Sequence, residues 1–237
     1  MNKTAIFLLA LMLLFVPIVH GENAMDYYDL GVKGSSTRKK IEYFTKALEL
    51  NPNLAEAYEK RGLLYYFQEK YDKVIEDYNK YLDFEPAKAE AYWMLGMGYL
   101  KSENYEPAIS NFSNAIRLEP DNLKSYAYRA EAYRLIGQDE KAFLDANKAI
   151  ELRGDLRAKS DAYRTRAKLY WKIGRNELAA ADVKSSWQTD PRVPRFWTYF
   201  LNYASPEELR SVAPFFLIAL VFVLIFGLKM KPPRKGD

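Results

Sequence analysis

The sequence predicts an all-α fold: an α-solenoid of about five helix-turn-helix units, followed by a C-terminal transmembrane helix. Three observations carry that reading. A pattern of tyrosines, small residues and a proline repeats every 34 residues between about Ala24 and Val193. Within each unit, apolar residues recur at i, i+3, i+4 and i+7, the period of amphipathic helices and not of strands. Apart from the repeats, the run from Val212 to Leu228 contains no charge.

The chain opens with Asn2 and Lys3 before an apolar stretch from Ala5 to Val19, and Val19-His20-Gly21 offers small residues at the −3 and −1 places of a cleavage site. Residues 1–21 therefore read as a secretory signal peptide. Retained, the same stretch would be an anchor, although its 15 residues are short for a bilayer span.

The repeats divide into units at about 24–54, 55–88, 89–122, 123–156 and 160–193. Their fourth positions from the second unit onward are Tyr58, Tyr92, Tyr126 and Tyr163, and their eighth are Gly62, Gly96, Ala130 and Ala167. The eleventh are Tyr65, Tyr99, Tyr133 and Tyr170; the twentieth are Val74, Ala108, Ala142 and Ala179; the twenty-seventh are Tyr81, Ala115, Ala149 and Ser186. Small residues at the eighth and twentieth positions let paired helices approach, while the tyrosines are expected to pack in the core around them. Pro52, Pro86, Pro120 and Pro191 close their units, with Gly154 substituting once. A proline cannot continue a helix, so each ends its unit. The first unit is three residues short, and Arg157, Ala158 and Lys159 are three extra residues before the fifth. That insertion is expected to loosen or re-angle the stack.

These positions are the ones that the tetratricopeptide repeat family requires, and the chain resembles that family over roughly 170 residues. The resemblance implies a right-handed solenoid whose first helices line a concave groove, chiefly through their second, fifth, ninth, twelfth and thirteenth positions. In the second and third units those positions include Leu63, Tyr66, Phe67, Trp93, Met97 and Leu100. In the fourth and fifth they include Lys124, Arg134, Arg164, Lys168, Trp171 and Lys172. The groove is thus expected to be apolar at one end and basic at the other, suited to an extended peptide with hydrophobic anchors and acidic groups. Its ninth positions (Val32, Leu63, Met97, Glu131 and Lys168) include no asparagine, so the family's carboxylate clamp for cytosolic chaperones is not expected.

Composition argues against an enzyme. Cysteine is absent and the one histidine, His20, lies in the signal segment, so the mature chain has neither thiol nor imidazole. No glycine-rich phosphate loop appears, and no catalytic residue, metal ligand set or cofactor is predicted. Most of the 31 acidic residues alternate with lysines and read as solvated surface. One rival reading, a glycan-binding or hydrolytic envelope protein, would use Glu59, Glu131 and Asp161 as paired carboxylates. Another is a structural envelope protein that self-associates as a homo-oligomer. A net charge of +4 is too slight to suggest nucleic acid. The sequon Asn111-Phe112-Ser113 falls within a helical pattern and reads as coincidence.

Beyond the repeats, residues 194–210 are a capping or juxtamembrane segment rich in aromatics: Phe196, Trp197, Tyr199, Phe200 and Tyr203. As a helix, the 17 residues 212–228 would rise about 26 Å, near the ~30 Å of a hydrocarbon core. Pro214 sits in the first turn, where no intrahelical bond is lost. Residues 229–237 carry Lys229, Lys231, Arg234 and Lys235 against one acid, a basic tail retained on the cytoplasmic side. The sequence thus describes a single-pass protein of a prokaryotic cell membrane, its repeats extracytoplasmic. It is expected to be a protein-interaction scaffold whose partner is a protein or peptide.

Overall fold

A computed structural model describes residues 23–190. The expected signal peptide, Pro191, the juxtamembrane segment, the span at 212–228 and the basic tail lie outside the described residues.

Among the described residues ten α-helices follow one another: α1 (Ala24–Lys33), α2 (Thr37–Leu50), α3 (Ala55–Phe67), α4 (Tyr71–Phe84), α5 (Ala89–Lys101), α6 (Tyr105–Leu118), α7 (Leu123–Leu135), α8 (Asp139–Glu151), α9 (Leu156–Lys172) and α10 (Asn176–Thr189). They pack as five hairpins, and each hairpin also packs on the next. None of these helices is long and apolar enough to cross a membrane.

Sequence chemistry sets the helix limits. Asn23 opens α1 through a capping box with Asp26, Ser36 caps α2, and Asn122 and Asp155 accept from backbone N–H groups at the starts of α7 and α9. Pro52, Pro86 and Pro120 each stand just beyond the C-cap residue that ends a hairpin, as a helix stop requires. Inside the second to fifth hairpins the turn is the same each time. The carbonyls of Tyr65, Tyr99, Tyr133 and Tyr170 accept from the amides of Lys70, Asn104, Gln138 and Arg175 at 2.8 to 3.0 Å. The residue before each of those donors is left-handed: Glu69 at φ 57°, Glu103 at 61°, Gly137 at 76° and Gly174 at 74°. Only two of the four are glycine.

The eighth position follows a size rule. A Cβ on Gly31, Gly62 or Gly96 would lie 2.6, 2.9 or 2.7 Å from the ring of Phe44, Tyr78 or Phe112 in the following helix. Where alanine replaces the glycine, the facing residue shrinks: Ala130 goes with Ala146, and Ala167 with Val183, all buried. Each hairpin thus keeps close packing with its own combination.

The structure reveals a second repeated feature, which revises the expectation that the acids are solvated. Arg61 donates through Nε and Nη2 to Asp77 at 2.9 and 2.7 Å, and through Nη1 to Thr45 of the preceding hairpin at 3.1 Å. Arg129 repeats this with Asp145 at 2.6 and 2.8 Å and with Ser113 at 2.9 Å. Arg166 does so with Asp182, 2.7 Å for both bonds, and with Asn147 at 2.6 Å. All three aspartates are buried. Burial opposes the charge on Arg61 and Arg129, but the forked bonds to Asp77 and Asp145 hold both guanidinium groups above their usual pKa. At Arg166 the bond to Asp182 is itself the leading cause of the same shift. Each guanidinium also lies 5.6 to 5.9 Å from the rings of its fourth- and eleventh-position tyrosines. Those tyrosines therefore pack around an ion pair as well as against apolar neighbours. The third hairpin departs from the pattern, with Leu95 and Asn111 in the two places, and Leu95 joins an apolar cluster with Tyr78, Tyr81 and Met94. Asn111 donates to the Pro107 carbonyl, and Ser113 accepts from Arg129, so the sequon's polar groups are engaged within the stack.

The three-residue insertion does not form a loop. It is absorbed as an added turn that makes α9 17 residues long, capped by Asp155. Ala158 of that turn is buried against Leu123 and Ala127 of α7. Helix packing favours this outcome because the insert contributes an alanine to a face that was already apolar.

Candidate peptide-binding groove

The first helices α3, α5, α7 and α9 line one open cleft of about 1120 Å³, larger than a typical small-molecule pocket of ~300–1,000 Å³. Each contributes side chains from one face, as helical periodicity demands.

The structure brings nine of the twelve expected groove residues to this cleft: Leu63, Tyr66, Phe67, Trp93, Met97, Leu100, Lys124, Arg164 and Lys168. Arg134, Trp171 and Lys172 do not line it. Arg134 lies behind the wall, donating to both oxygens of Glu131 at 2.8 Å. Trp171 packs beside Ala167, Ala179 and Val183, and Lys172 pairs with Asp139 at 2.5 Å. Both stand in the last turn of α9, beyond the cleft.

The α3 and α5 wall is apolar. Phe67 is 72% exposed and Leu63 36%, whereas Met97 and Leu100 are buried in the floor. Tyr66 contacts both Phe67 and Tyr71 edge-on at 6.1 Å, and Trp93 lies 6.0 Å from Tyr128. Lys124 places its ammonium 4.6 Å above the Trp93 ring and pairs with Glu90 at 3.3 Å. The Trp93 indole N–H is buried without an acceptor among the described residues.

The opposite wall is not the basic surface that the sequence suggests. Its cations are matched by acids. Arg164 pairs with Asp161, which also accepts from the Tyr128 hydroxyl at 3.0 Å. Lys168 donates to Glu131 at 3.0 Å, as does Thr165. Burial pushes the Glu131 carboxyl upward, but bonds and charges from Arg134 and Lys168 outweigh it and lower its pKa to about 2. Seven acids and six bases line the cleft: Glu59, Glu69, Glu90, Glu103, Glu131, Asp155 and Asp161 against Lys60, Lys101, Lys124, Arg157, Arg164 and Lys168. Sequence reasoning assigned charges by position and could not see that acids from neighbouring helices would reach the same lysines and arginines.

The three acids of the hydrolytic reading do share the cleft. Glu59, however, pairs with Lys60, Asp161 with Arg164 and Tyr128, and Glu131 is held ionised. A general acid requires the opposite shift from that of Glu131.

Sequence reasoning also missed Tyr71, Tyr128, Asp155 and Arg157 as lining residues. The last two belong to the capping residue and added turn of α9. Counting positions from Ser160 excluded them, and only the strength of Asp155 as a helix cap hinted that the helix begins earlier.

The comparisons identify the repeat type of two of the five hairpins. Residues 55–88 and 89–122 each match a family model described as Tetratricopeptide repeat. These two hairpins are tetratricopeptide repeats. No curated protein matches the chain as a relative. Among solved structures, the helical stack is similar to MamA at 22% identity and a TM-score of 0.62, covering 78% of this chain and 98% of that one. It is similar to YrrB, a TPR protein with an unusual peptide-binding site, at 21% identity and a TM-score of 0.60, covering 73% and 90%. A third is a thermophilic TPR protein, TTC0263 from Thermus thermophilus, at 20% identity and a TM-score of 0.55, covering 72% and 93%. At these identities the likeness is one of fold.

Proposed function

We propose that this protein is a membrane-anchored interaction scaffold whose tetratricopeptide groove binds an extended peptide segment of a partner protein. The observation that carries the reading is the apolar wall, where Phe67 and Leu63 stand exposed above Tyr66, Trp93, Met97 and Leu100. Exposed large apolar groups in a concave surface mark binding sites, because they are costly to leave in water. The peptide-binding site of YrrB, on a similar fold, supports the same use here. Since the opposite wall is internally charge-paired, apolar anchors dominate the partner's contribution and an acidic run is not required.

Anchoring is read from the sequence: an exported N-terminus at 1–21 and a span at 212–228 put the repeats outside the cytoplasm and residues 229–237 inside. The membrane is that of a prokaryotic cell. The reading includes neither catalysis nor nucleic-acid binding.

A photoreactive residue replacing Phe67, used in native membranes, tests the groove against the same residue replacing Asn79, which is exposed on α4. Capture of a distinct protein from position 67 alone, lost when Leu63→Asp is added, is expected. Identical products from both positions would refute the groove. Because the chain has no cysteine, Asn53→Cys and Gly236→Cys give clean topology markers. An impermeant maleimide added to intact cells should label the first and not the second; the reverse pattern would overturn the orientation.

A further inference from the structure

We propose that Arg157, carried on the added turn of α9, is the specificity-determining residue through which the groove selects an acidic side chain beside the peptide's apolar anchor. The inference rests on the reading of the cleft as a peptide groove, and it narrows the class of peptide.

Four of the six cleft cations are already paired. Lys60 is held by Glu59, Lys124 by Glu90, Arg164 by Asp161 and Lys168 by Glu131. Arg157 and Lys101 form no ion pair among the described residues. Lys101 shares its wall with Glu103, which makes no side-chain bond there and can offset it. The acid nearest in sequence to Arg157 is Asp155, one of whose oxygens accepts the Ala158 amide at 2.9 Å as the helix cap. Arg157 is therefore a cleft cation whose guanidinium makes no ion pair with a carboxylate among the described residues.

Its position favours one occupant. The guanidinium acts electrostatically on the hydroxyls of both Tyr66 on α3 and Tyr128 on α7, opposing the upward push of burial on each, while Asp155 acts in the other direction on Tyr128. Those rings belong to the aromatic stripe, because Tyr66 touches Phe67 and Tyr128 touches Trp93. Arg157 is exposed, at the second residue of its helix, so its fork is available to solvent and to ligand. A planar guanidinium pairs with a carboxylate through two parallel N–H bonds, which a lysine cannot reproduce. An apolar side chain on the Phe67–Trp93 stripe and a carboxylate at Arg157 then define one short stretch of extended peptide.

The test is selection of a displayed library of random 12-residue peptides on the purified full-length chain, in parallel with Arg157→Gln. Wild type should enrich a bulky apolar residue with Asp or Glu at a fixed spacing. Arg157→Gln should keep the apolar residue and lose the acid. In an enriched peptide, replacing the acid by its amide should weaken wild-type binding roughly tenfold and leave the Arg157→Gln affinity nearly unchanged. Arg157→Lys should recover only part of the tenfold. Apolar enrichment without a spaced acid, or an acid retained by Arg157→Gln, overturns the role of Arg157 alone. Absence of any enrichment, or enrichment unaffected by Phe67→Ala, overturns the groove reading and this inference with it.

Discussion

Replacing Arg61 by leucine copies what the third hairpin carries in the equivalent place, yet it should be far more damaging than that precedent suggests. Asp77 is 1% exposed and spends both oxygens on Arg61. Removing the guanidinium leaves a buried carboxylate with no counter-charge, which costs on the order of 3–5 kcal/mol. The third hairpin avoids this because Asn111 accompanies Leu95. Arg61→Leu combined with Asp77→Asn should therefore recover most of the loss. What remains is the contact of the guanidinium with Tyr58 and Tyr65 and its bond to Thr45, together about 1–2 kcal/mol. The double variant should then be about 2–3 kcal/mol more stable than Arg61→Leu alone. Solenoids open locally, so the quantity to measure at neutral pH is native-state hydrogen exchange of the α3 and α4 amides, in both single variants and the double. Should the double variant be no more protected than Arg61→Leu, the buried-charge argument fails.

Three further perturbations follow from the same packing. Gly96→Ala puts a methyl 2.7 Å from Phe112, which is fully buried, so it should destabilise by about 1–3 kcal/mol in urea unfolding; a neutral result would show that the ring can move. Glu103→Gly should stabilise by about 1 kcal/mol, since residue 103 is left-handed and its counterparts Gly137 and Gly174 are already glycine; a lower unfolding midpoint would refute this. Glu131 gives a pH signature. Its pKa is lowered from 4.5 to about 2 in the folded state, so its contribution is complete above about pH 4.5 and is lost as pH falls toward 2. At 22% side-chain exposure that contribution is at most ~3 kcal/mol. Glu131→Gln should flatten the stability profile between about pH 4.5 and about pH 2, and an unchanged slope would show that another carboxylate carries it.

The hairpins were legible because the signals that define them are local. Tyrosine, small residue and proline recur at fixed offsets, and a helix stop such as Pro86 acts within its own turn. The arginine clasps were equally periodic: Arg61, Arg129 and Arg166 each precede an aspartate by 16 residues. They were overlooked because charge on an amphipathic helix ordinarily means solvent. Only pairing across two helices shows that Asp77, Asp145 and Asp182 are inside. The groove was partly legible for a related reason. Which face of α3 or α5 points inward follows from periodicity, so Leu63 and Trp93 could be placed. Whether Lys168 is free depends on Glu131 one hairpin away, and a linear pattern does not encode that distance. The added turn of α9 was not legible because the three extra residues fall between two repeats, and only the cap at Asp155 and the burial of Ala158 together show them to be helical.

The two sides of the stack divide the physical work. The clasps join the first hairpin to the second through Thr45, the third to the fourth through Ser113, and the fourth to the fifth through Asn147. The junction of the second and third has no such bond among the described residues. It is closed by apolar contact instead, with a Cβ at Gly98 falling 3.1 Å from Ile75 and Leu95 packed beside Tyr78. That junction carries the aromatic stripe of the cleft on its other side, from Phe67 to Trp93. On α3 the wall of Leu63 and Phe67 is backed by the paired Arg61, whereas on α5 Leu95 and its apolar cluster back Trp93 and Met97. With most of the cleft ions neutralised among themselves, the wall needs no rearrangement to present Leu63 and Phe67. Preorganisation of that kind lowers the ordering cost of binding, which is the term that keeps buried area from becoming affinity. The third hairpin thus differs from the second in having apolar backing where its neighbour has a paired arginine. Restoring the pair with Leu95→Arg and Asn111→Asp is therefore expected to preserve folding while weakening capture of peptide at Phe67. Unchanged capture would return the exception to packing alone.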